Sequence, residues 1–579
     1  MNKRKVIKQT GTIRWRLATV FGLIVLVFAG LIARTAYIQV ISPDELRKQG
    51  DLRTHRQLAD TVLRGMITDR NGLELAISVP VNTVWADPQQ IVEKNILSKD
   101  REWRALADIL DTDVAKLKSR ITANPNGRFV YLARHVSPAM SEYIKNLNLY
   151  GVYMRPESKR YYPAAEVNAH LVGITNIDDH GLDGIEKLYD DALTGENGKK
   201  NILRDAHGRV IEVLSEEAAK EAKNITLSID QRIQTLAYQE LKKAVQYYQA
   251  DSGSIVAIDV NTGEILAMVN NPSYNPNNRK GVSPSVMRNR AITDTFEPGS
   301  TMKPLAVLAA LEFGSINADS VIDTSPGWMM FGGRRVRDHA NEGEMSVAQV
   351  LKKSSNVGTT KIALSMPHEQ LLDAFYNAGF SSDTGTGLIG ESSGIFYDRR
   401  RWSDFELATL SFGYGLSVTT AQLAQMYATI GNGGIRRPLS ILKLDRPNEG
   451  ERVFSYSSTR QLLKMMETVL DEDGTGSRAA VDGYRVAGKT GTSRKAVAGG
   501  YGNDYVGLFA GVAPVSNPQI ALAVVINNPK GDNYSGGKVA APVFSKVMSG
   551  ALQILNVPSD KTSDAEIQLA SVDGERPSA

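Results

Sequence analysis

Residues 17–33 read LATVFGLIVLVFAGLIA, seventeen consecutive positions without a charge. At about 1.5 Å per residue a helix of that length covers roughly 25 Å, the short end of a bilayer span. Trp15 and Tyr37 flank the run where aromatic rings suit a membrane interface, and Arg16 and Arg34 are placed to snorkel. A cleavable export signal is the rival reading. The run exceeds the usual ~7–15 residues of such a signal, and Arg34 stands where a small residue is needed before Ala36. The pattern predicts one uncleaved anchor over 17–37.

Past the anchor, Ser42-Pro43-Asp44-Glu45 has the form of a helix start, with Ser as N-cap, Pro at N1 and Glu closing a capping box. Residues 55–225 then show short strand-like runs broken by Gly and Asn, as in RGMITDRNG at 64–72, where Asn71-Gly72 is a strong hairpin turn. That stretch holds no evident nucleophile–base set, so it reads as a scaffold or a docking module. From about 226 the texture changes. Residues 254–260 (SIVAIDV), a turn at Asn261-Thr262-Gly263 and residues 264–269 (EILAMV) read as a hairpin of apolar strands. Helical periodicity follows in 302–313, 346–353, 419–430 and 458–471. Strands recur at 505–512 and 520–527, before an apolar helical stretch over 543–555. Strands at both ends with helices between them predict an α+β fold, an antiparallel sheet packed between helices from distant parts of the chain. The expected order is a tail (1–16), the anchor (17–37), an elongated mixed domain (38–225), a catalytic-sized domain (226–557) and a polar, disordered tail (558–579).

Charge sharpens the topology. The chain of 579 residues has a formal net charge of +4, and Lys3, Arg4, Lys5, Lys8, Arg14 and Arg16 lie in its first sixteen positions without an acid. Subtracting those six positives from +4 leaves the remainder at −2, which argues against a basic nucleic-acid-binding face. By the positive-inside rule they keep the short tail in the cytoplasm and place the rest beyond the membrane, where free ATP is scarce. The chain has no cysteine, which excludes disulfides, iron–sulfur clusters, thiolate zinc sites and a cysteine nucleophile.

Four catalytic patterns compete. GxGxxG at 385–390 lacks a preceding strand and a following helix, and GxSxG at 390–394 reads as loop. Residues 483–490 are a complete Walker A match, but a P-loop needs a helix directly after Lys-Thr. Gly491-Thr492-Ser493 and the glycines at 499–500 start a helix poorly, and the exported location removes the nucleotide. The fourth pattern is a constellation: Ser300-Thr301-Met302-Lys303 (S-x-x-K), Ser354-Ser355-Asn356 (S-x-N) and Lys489-Thr490-Gly491 (K-T-G). S-x-x-K recurs at Ser535–Lys538 and S-x-N at Ser315–Asn317, and context separates the copies. Ser300 opens an apolar helix, whereas Ser535 lies among glycines.

Chemistry accounts for these residue types. At i,i+3 on a helix, Ser300 and Lys303 share a face, so the amine can reach the hydroxyl, and a helix start favours an oxyanion. Lys303 acts as a base only when neutral; burial and a second cation, Lys489, both depress its pKa. Ser354 can relay protons and Asn356 can bond a substrate amide. The small Gly491 lets a peptide backbone approach the strand edge and pair as an added strand.

Over 226–557, through FEPGSTMKP, SSN and KTGT, the sequence resembles the serine penicillin-recognising enzymes. With the anchor, RGMITDRNG and a pedestal-like 55–225, it resembles the class B penicillin-binding proteins, most closely their cell-division branch. The resemblance implies a pedestal or dimerisation-like domain followed by a penicillin-binding transpeptidase domain. It implies peptidoglycan stem peptides ending in D-Ala-D-Ala as donor, an amine on a neighbouring stem as acceptor, and trapping by β-lactams. It makes Ser300 the nucleophile, Lys303 its base and Ser354 with Asn356 the second element. Lys489, Thr490 and Gly491 would bind the substrate carboxylate and line the strand, and the N–H groups of Ser300 and Thr492 would form the oxyanion hole. No cofactor or metal is expected. Polymerisation would fall to a partner, in this family FtsW, among other division proteins. An elongation-type transpeptidase, a D,D-carboxypeptidase, a β-lactamase and a non-catalytic platform or β-lactam sensor are the alternatives.

Overall fold

The computed structural model describes residues 11–41, 55–60, 62–205, 210–397, 399, 401–497 and 499–561. The apolar run folds as a helix, Gly11–Ala36, that continues as a π-turn over Tyr37–Ile41. Within its span Arg14–Val40, the most apolar eighteen residues have a mean hydropathy of 2.3, and none of them is buried among the described residues. An exposed apolar helix suits lipid, because its backbone groups bond internally. The helix start expected at Ser42 and the cationic Lys3, Arg4, Lys5 and Lys8 lie outside the described residues.

By compactness the chain forms two units. One takes in 1–63 with 195–222 and contains a three-stranded antiparallel sheet in the order His55–Asp60, Gly198–Arg204, Val210–Glu217. The other takes in 64–194 with 223–579. The scaffold expected over 38–225 therefore contributes strands to both.

In the second unit the N-terminal lobe is built on the long strand Glu74–Ala86, which pairs with Val130–Val136 and Val152–Tyr161. Trp103, Leu106, Leu117 and Ile121 bury against it from short helices. The expected Asn71-Gly72 turn is present: Ile67–Thr68 pairs antiparallel with Glu74–Ala86, and Gly72 has φ +86°. Around it the polar side chains of RGMITDRNG stitch this lobe to the C-terminal one. Asp69 accepts from Gln231 N (3.1 Å), Asn71 Nδ2 donates to Asp230 (3.2 Å) and Arg70 pairs with Glu264 (3.2 Å). Arg64 shares the buried carboxylate of Glu186 with Arg160, at 2.7 and 2.6 Å.

The C-terminal lobe holds the predicted hairpin and closing strands in one sheet. Its elements are α1 (Gln231–Tyr247), β1 (Ser252–Asp259), β2 (Ile265–Asn271), α2 (Lys303–Phe313), α3 (Val347–Lys352), α4 (Asn356–Ala363), α5 (Thr420–Gly431), β3 (Ala487–Val497), β4 (Gly500–Ala513), β5 (Ile520–Asn527) and α6 (Ala541–Ile554). The strands run antiparallel in the order β2-β1-β5-β4-β3, which leaves β3 at an edge. The central strands and the inner half of β4 are largely apolar because both faces of the sheet are covered there, whereas β3 and the start of β4 carry polar residues. Ile255 and Ala257 pack with Ile233 of α1 and Val547 of α6, whereas Val256 and Ile258 belong to the core of Leu305 from α2 and Tyr427 from α5. Helix starts are specified locally by capping boxes, Ser346 with Gln349 on α3 and Thr419 with Gln422 on α5. Residues 558–561 belong to this body rather than to a loose tail: Asp560 accepts from the N–H groups of Arg485 (2.7 Å) and Ser516 (3.0 Å). The remainder of the tail lies outside the described residues.

Glu186→Ala leaves the buried guanidinium of Arg160 without its carboxylate and strips Arg64 of one. Loss of one partner of a buried ion pair costs about 3–5 kcal/mol, so chemical denaturation should show a destabilisation of that order. A variant as stable as the wild type would show that Glu186 does not hold the lobe together.

Candidate active site

Three sequence-distant segments converge on one hydroxyl. Ser300 lies in a 3₁₀ turn, Gly299–Met302, that runs directly into α2, whose first residue is Lys303. Two glycines permit this turn. Gly299 has φ +53° and donates its N–H to the carbonyl of Gly413 (3.0 Å); a Cβ on Gly413 would lie 2.1 Å from Gly299 O. After α3, Ser354 takes φ +59°, a left-handed conformation that costs a non-glycine residue of order 1 kcal/mol. Lys489 is the third residue of β3.

Lys303 and Lys489 are both fully buried. Lys303 Nζ donates to the Ser354 carbonyl (2.5 Å) and to its Oγ (3.1 Å), and Lys489 Nζ donates to the same Oγ (3.0 Å). Burial, and after it repulsion by Lys489, hold the Lys303 amine well below the ordinary lysine range, against a partial pull upward from Asp338. Burial brings Lys489 down to about 7. Two ammonium groups against one hydroxyl in a dry site are unfavourable, so burial and mutual repulsion both favour a neutral amine there. Ser300 Oγ takes no hydrogen bond among the described residues. The direct Ser300–Lys303 contact expected from their spacing is therefore not made in this resting arrangement, because Lys303 is turned to Ser354.

The remaining predicted residues are placed as follows. Asn356 opens α4, and its Nδ2 donates to the Arg337 carbonyl (3.0 Å). Thr490 Oγ1 donates to Thr475 Oγ1 (3.1 Å), next to Lys489. Thr492 lies further along β3, with its Oγ1 accepting from Gly536 N (3.0 Å). Gly491 is tight for a reason the sequence did not suggest. A Cβ there would meet Thr301 Cγ2 at 2.8 Å and Pro298 O at 2.9 Å, so its missing side chain makes room for the Ser300 turn, not for a ligand.

Asp338 was missed. It accepts from Ser355 Oγ (2.5 Å), Asn356 N (2.5 Å) and Val357 N (3.0 Å), capping α4 from a separate loop and so setting the position of the whole Ser354–Asn356 segment. No spacing rule marks it, because it acts across seventeen positions. Thr475, in a Gly-rich turn, was missed for the same reason. The competing motifs fall away on geometry. Lys489-Thr490 of the Walker A match lies within a strand, and Ser392 of GxSxG lies in a loop. Ser535 stands at the N-cap of the four-residue helix Gly536–Val539.

Comparison with known proteins agrees with this geometry. A family pattern described as "Penicillin binding protein transpeptidase domain" matches residues 253–549, and one described as "Penicillin-binding Protein dimerisation domain" matches 59–227. The chain is 50% identical over 549 residues to the peptidoglycan D,D-transpeptidase FtsI of Escherichia coli (strain K12), covering 95% of this chain and 93% of that one. It is 44% identical over 559 residues to the same-named protein of Buchnera aphidicola subsp. Schizaphis graminum, covering 96% and 98%. Among solved structures, a peptidoglycan synthetase from Bifidobacterium adolescentis superposes with a TM-score of 0.69 at 26% identity, over 88% of this chain and 98% of that one.

Gly491→Ala should shift the Ser300 turn by several tenths of an ångström or more. Misplacement on that scale costs up to about a hundredfold in rate, so covalent labelling by penicillin should slow by at least about tenfold with the fold intact by circular dichroism. Labelling at the wild-type rate would show that the turn does not depend on this close approach.

Proposed function

This chain belongs to the class B penicillin-binding proteins, and from that premise we propose that it is the serine D,D-transpeptidase that cross-links peptidoglycan stem peptides at the division septum, with Ser300 as its nucleophile. The observation that carries the reading is the shared Ser354 hydroxyl between two buried lysines, one of them a single turn from Ser300. The high identity to the two proteins named FtsI favours septal duty over an elongation role.

The geometry supports this sequence of steps. A donor peptide adds as a strand to the open edge of β3, and its terminal carboxylate meets the Lys489 ammonium and the Thr490 hydroxyl. Ser300 Oγ attacks the carbonyl carbon of the penultimate residue, and its proton passes to neutral Lys303. Catalytic hydrogen bonds of this kind often close only once substrate is bound. The N–H groups of Ser300 and Thr492 receive the oxyanion. As the peptide C–N bond breaks, the departing D-alanine takes a proton through Ser354, which bonds both amines. The acceptor amine then forms a C–N bond to the ester carbon and gives its surplus proton to Lys303, and as the C–O bond breaks Ser300 Oγ takes that proton from Lys303. A β-lactam enters by the same route and stays as an acyl-enzyme.

The exposed apolar helix supports a membrane anchor. The cationic tail ahead of it supports a cytoplasmic N-terminus with the catalytic lobe in the periplasm. Lacking a polymerase domain in 55–225, the enzyme would work beside a glycan polymerase such as FtsW and other division proteins.

Two measurements test the reading. Fluorescent penicillin should label the wild type and the Ser392→Ala and Ser535→Ala variants but not Ser300→Ala, and depletion should give filamentous cells. Labelling that survives Ser300→Ala, or round cells on depletion, would contradict it. In the free enzyme Lys489 is charged below about 7 and neutral above it, so acylation by benzylpenicillin should fall on that alkaline limb. Lys489→Arg keeps its charge and should move the limb upward by about two pH units or more while lowering the rate. An alkaline limb that ignores this substitution belongs to another group.

A further inference from the structure

The hairpin that leads into Asp338 carries a cationic face that the chemistry above leaves unused. Its strands, Trp328–Phe331 and Arg334–Arg337, pair with Trp328 opposite Arg337, Met329 opposite Val336 and Met330 opposite Arg335. Side chains alternate along a strand, and directly opposed residues share a face. Val336 is 4% exposed and packs with Ala408 and Phe412, from the helix Asp404–Ser411 and its C-cap, so the Met329–Val336 face is seated on the body. The other face is open to solvent. Trp328 is 41% and Met330 48% exposed there, and Arg335 and Arg337 are exposed with them.

Charge on this hairpin is uncompensated. Arg335 lies over the Trp328 ring at 4.7 Å, and Arg334, on the seated face, lies over Phe405 at 5.0 Å. None of Arg334, Arg335 and Arg337 forms an ion pair among the described residues. The lysines just before Ser354 differ: Lys352 pairs with Asp471 (2.8 Å) and Asp473 (2.6 Å), and Lys353 with Asp473 (3.0 Å). Asp338, the acid adjoining the hairpin, is spent on Ser355 Oγ and on the N–H groups of Asn356 and Val357. A guanidinium stacked on a ring is already partly ordered, so Arg335 loses less freedom on taking a carboxylate.

The hairpin is also tied to the reacting residues. The Arg337 carbonyl accepts from Asn356 Nδ2 (3.0 Å), Asp338 N donates to Gly327 O (2.9 Å), and the Asp338 carboxylate caps the start of α4 directly after Ser354. Ser354 Oγ in turn is bonded by Lys303 and Lys489. The Trp328–Arg337 rung is therefore the one that adjoins the catalytic segment.

We propose that this face is a subsite for the stem of the donor peptide, with Arg335 and Arg337 taking a carboxylate that precedes the two terminal D-alanines, and Trp328 and Met330 covering its aliphatic part. The inference rests on the reading of Ser300 as the nucleophile and deepens it by assigning a contact upstream of the scissile bond. Peptidoglycan stems carry carboxylates within the peptide as well as at its end, and the terminal one is assigned to Lys489 and Thr490. An extended peptide advances about 3.3 Å per residue, so an acid two or three residues earlier stands roughly 7–10 Å from that end. The amide that Asn356 is expected to bond lies on the same stretch, and Asn356 itself bonds Arg337.

The test uses the full chain in detergent and two N-acyl-D-alanyl thioglycolate donors of equal size. One carries a glutaryl cap with its free carboxylate, the other the neutral glutaramide. The ratio of their acylation rates is read for each variant, so a general loss at Ser300 cancels. The wild type should favour the glutaryl donor by about fivefold at low salt, the worth of an exposed charge pair. Screening acts within about 3 Å at 1 M salt, so the preference should largely vanish there. The Arg335→Gln, Arg337→Gln double variant should use the two donors about equally, and Arg335→Glu should turn the ratio against the glutaryl donor. Both arginines are exposed, so the fold bears these changes. Equal use of the donors by the wild type, or a preference that survives in the double variant, would overturn the proposal. Failure of penicillin and of both donors to acylate Ser300 would overturn the reading of Ser300 itself, and this subsite with it.

Discussion

Two buried amines bonded to one serine hydroxyl set the terms for the rest of the catalytic lobe. Neither lysine can be taken out of water as a full cation at low cost, and together they are worse. The cost is offset because each finds an acceptor on Ser354, whose left-handed backbone presents both its carbonyl and its Oγ. Asp338 secures that conformation by capping α4 with three hydrogen bonds from outside the motif. The same burial that burdens the resting protein holds the Lys303 amine well below the ordinary lysine range.

The sheet explains why the chemistry sits where it does. Four of its five strands are enclosed or paired along most of their length, and β2 at the far edge has its Ile265 N–H bonded to the Ser440 carbonyl (2.9 Å). β3 forms the other edge of the sheet, and it carries Lys489, Thr490 and Thr492. Close approach to that edge depends on glycines with no room for a Cβ. Gly491 faces the Ser300 turn, and a Cβ on Gly536 would come within 2.2 Å of Gly491 O. The backbone at Gly491 is packed from two sides, by the Ser300 turn and by Gly536, which fixes that turn relative to β3.

Much of this was legible in the sequence. The N-terminal apolar helix, the closing strand at 520–527, the hairpin from 254 and the helices near 303, 347 and 420 follow from local periodicity and capping residues, which act within a few positions. The RGMITDRNG segment was only half legible. Its hairpin turn is a local property of Asn71-Gly72, but the roles of Asp69, Asn71 and Arg70 as ties to Asp230, Gln231 and Glu264 depend on partners about 160 or more positions away. A sequence rule about turns has nothing to say about such pairs.

By itself the sequence determined which residue types were present at chemically suggestive spacings, and context within each segment selected Ser300, Ser354 and Lys489 over their chance copies. It also determined the N-terminal charge and the absence of cysteine, which narrow the chemistry to serine and lysine. Only the tertiary structure decided that Lys303 turns to Ser354 rather than to Ser300, that Gly491 clears space for the chain's own turn, and that Asp338 and Thr475 belong to the site. The physical reason is range: spacing and capping are short-range backbone effects, whereas burial, shared hydrogen bonds and close packing are set by segments that meet only when the chain has folded.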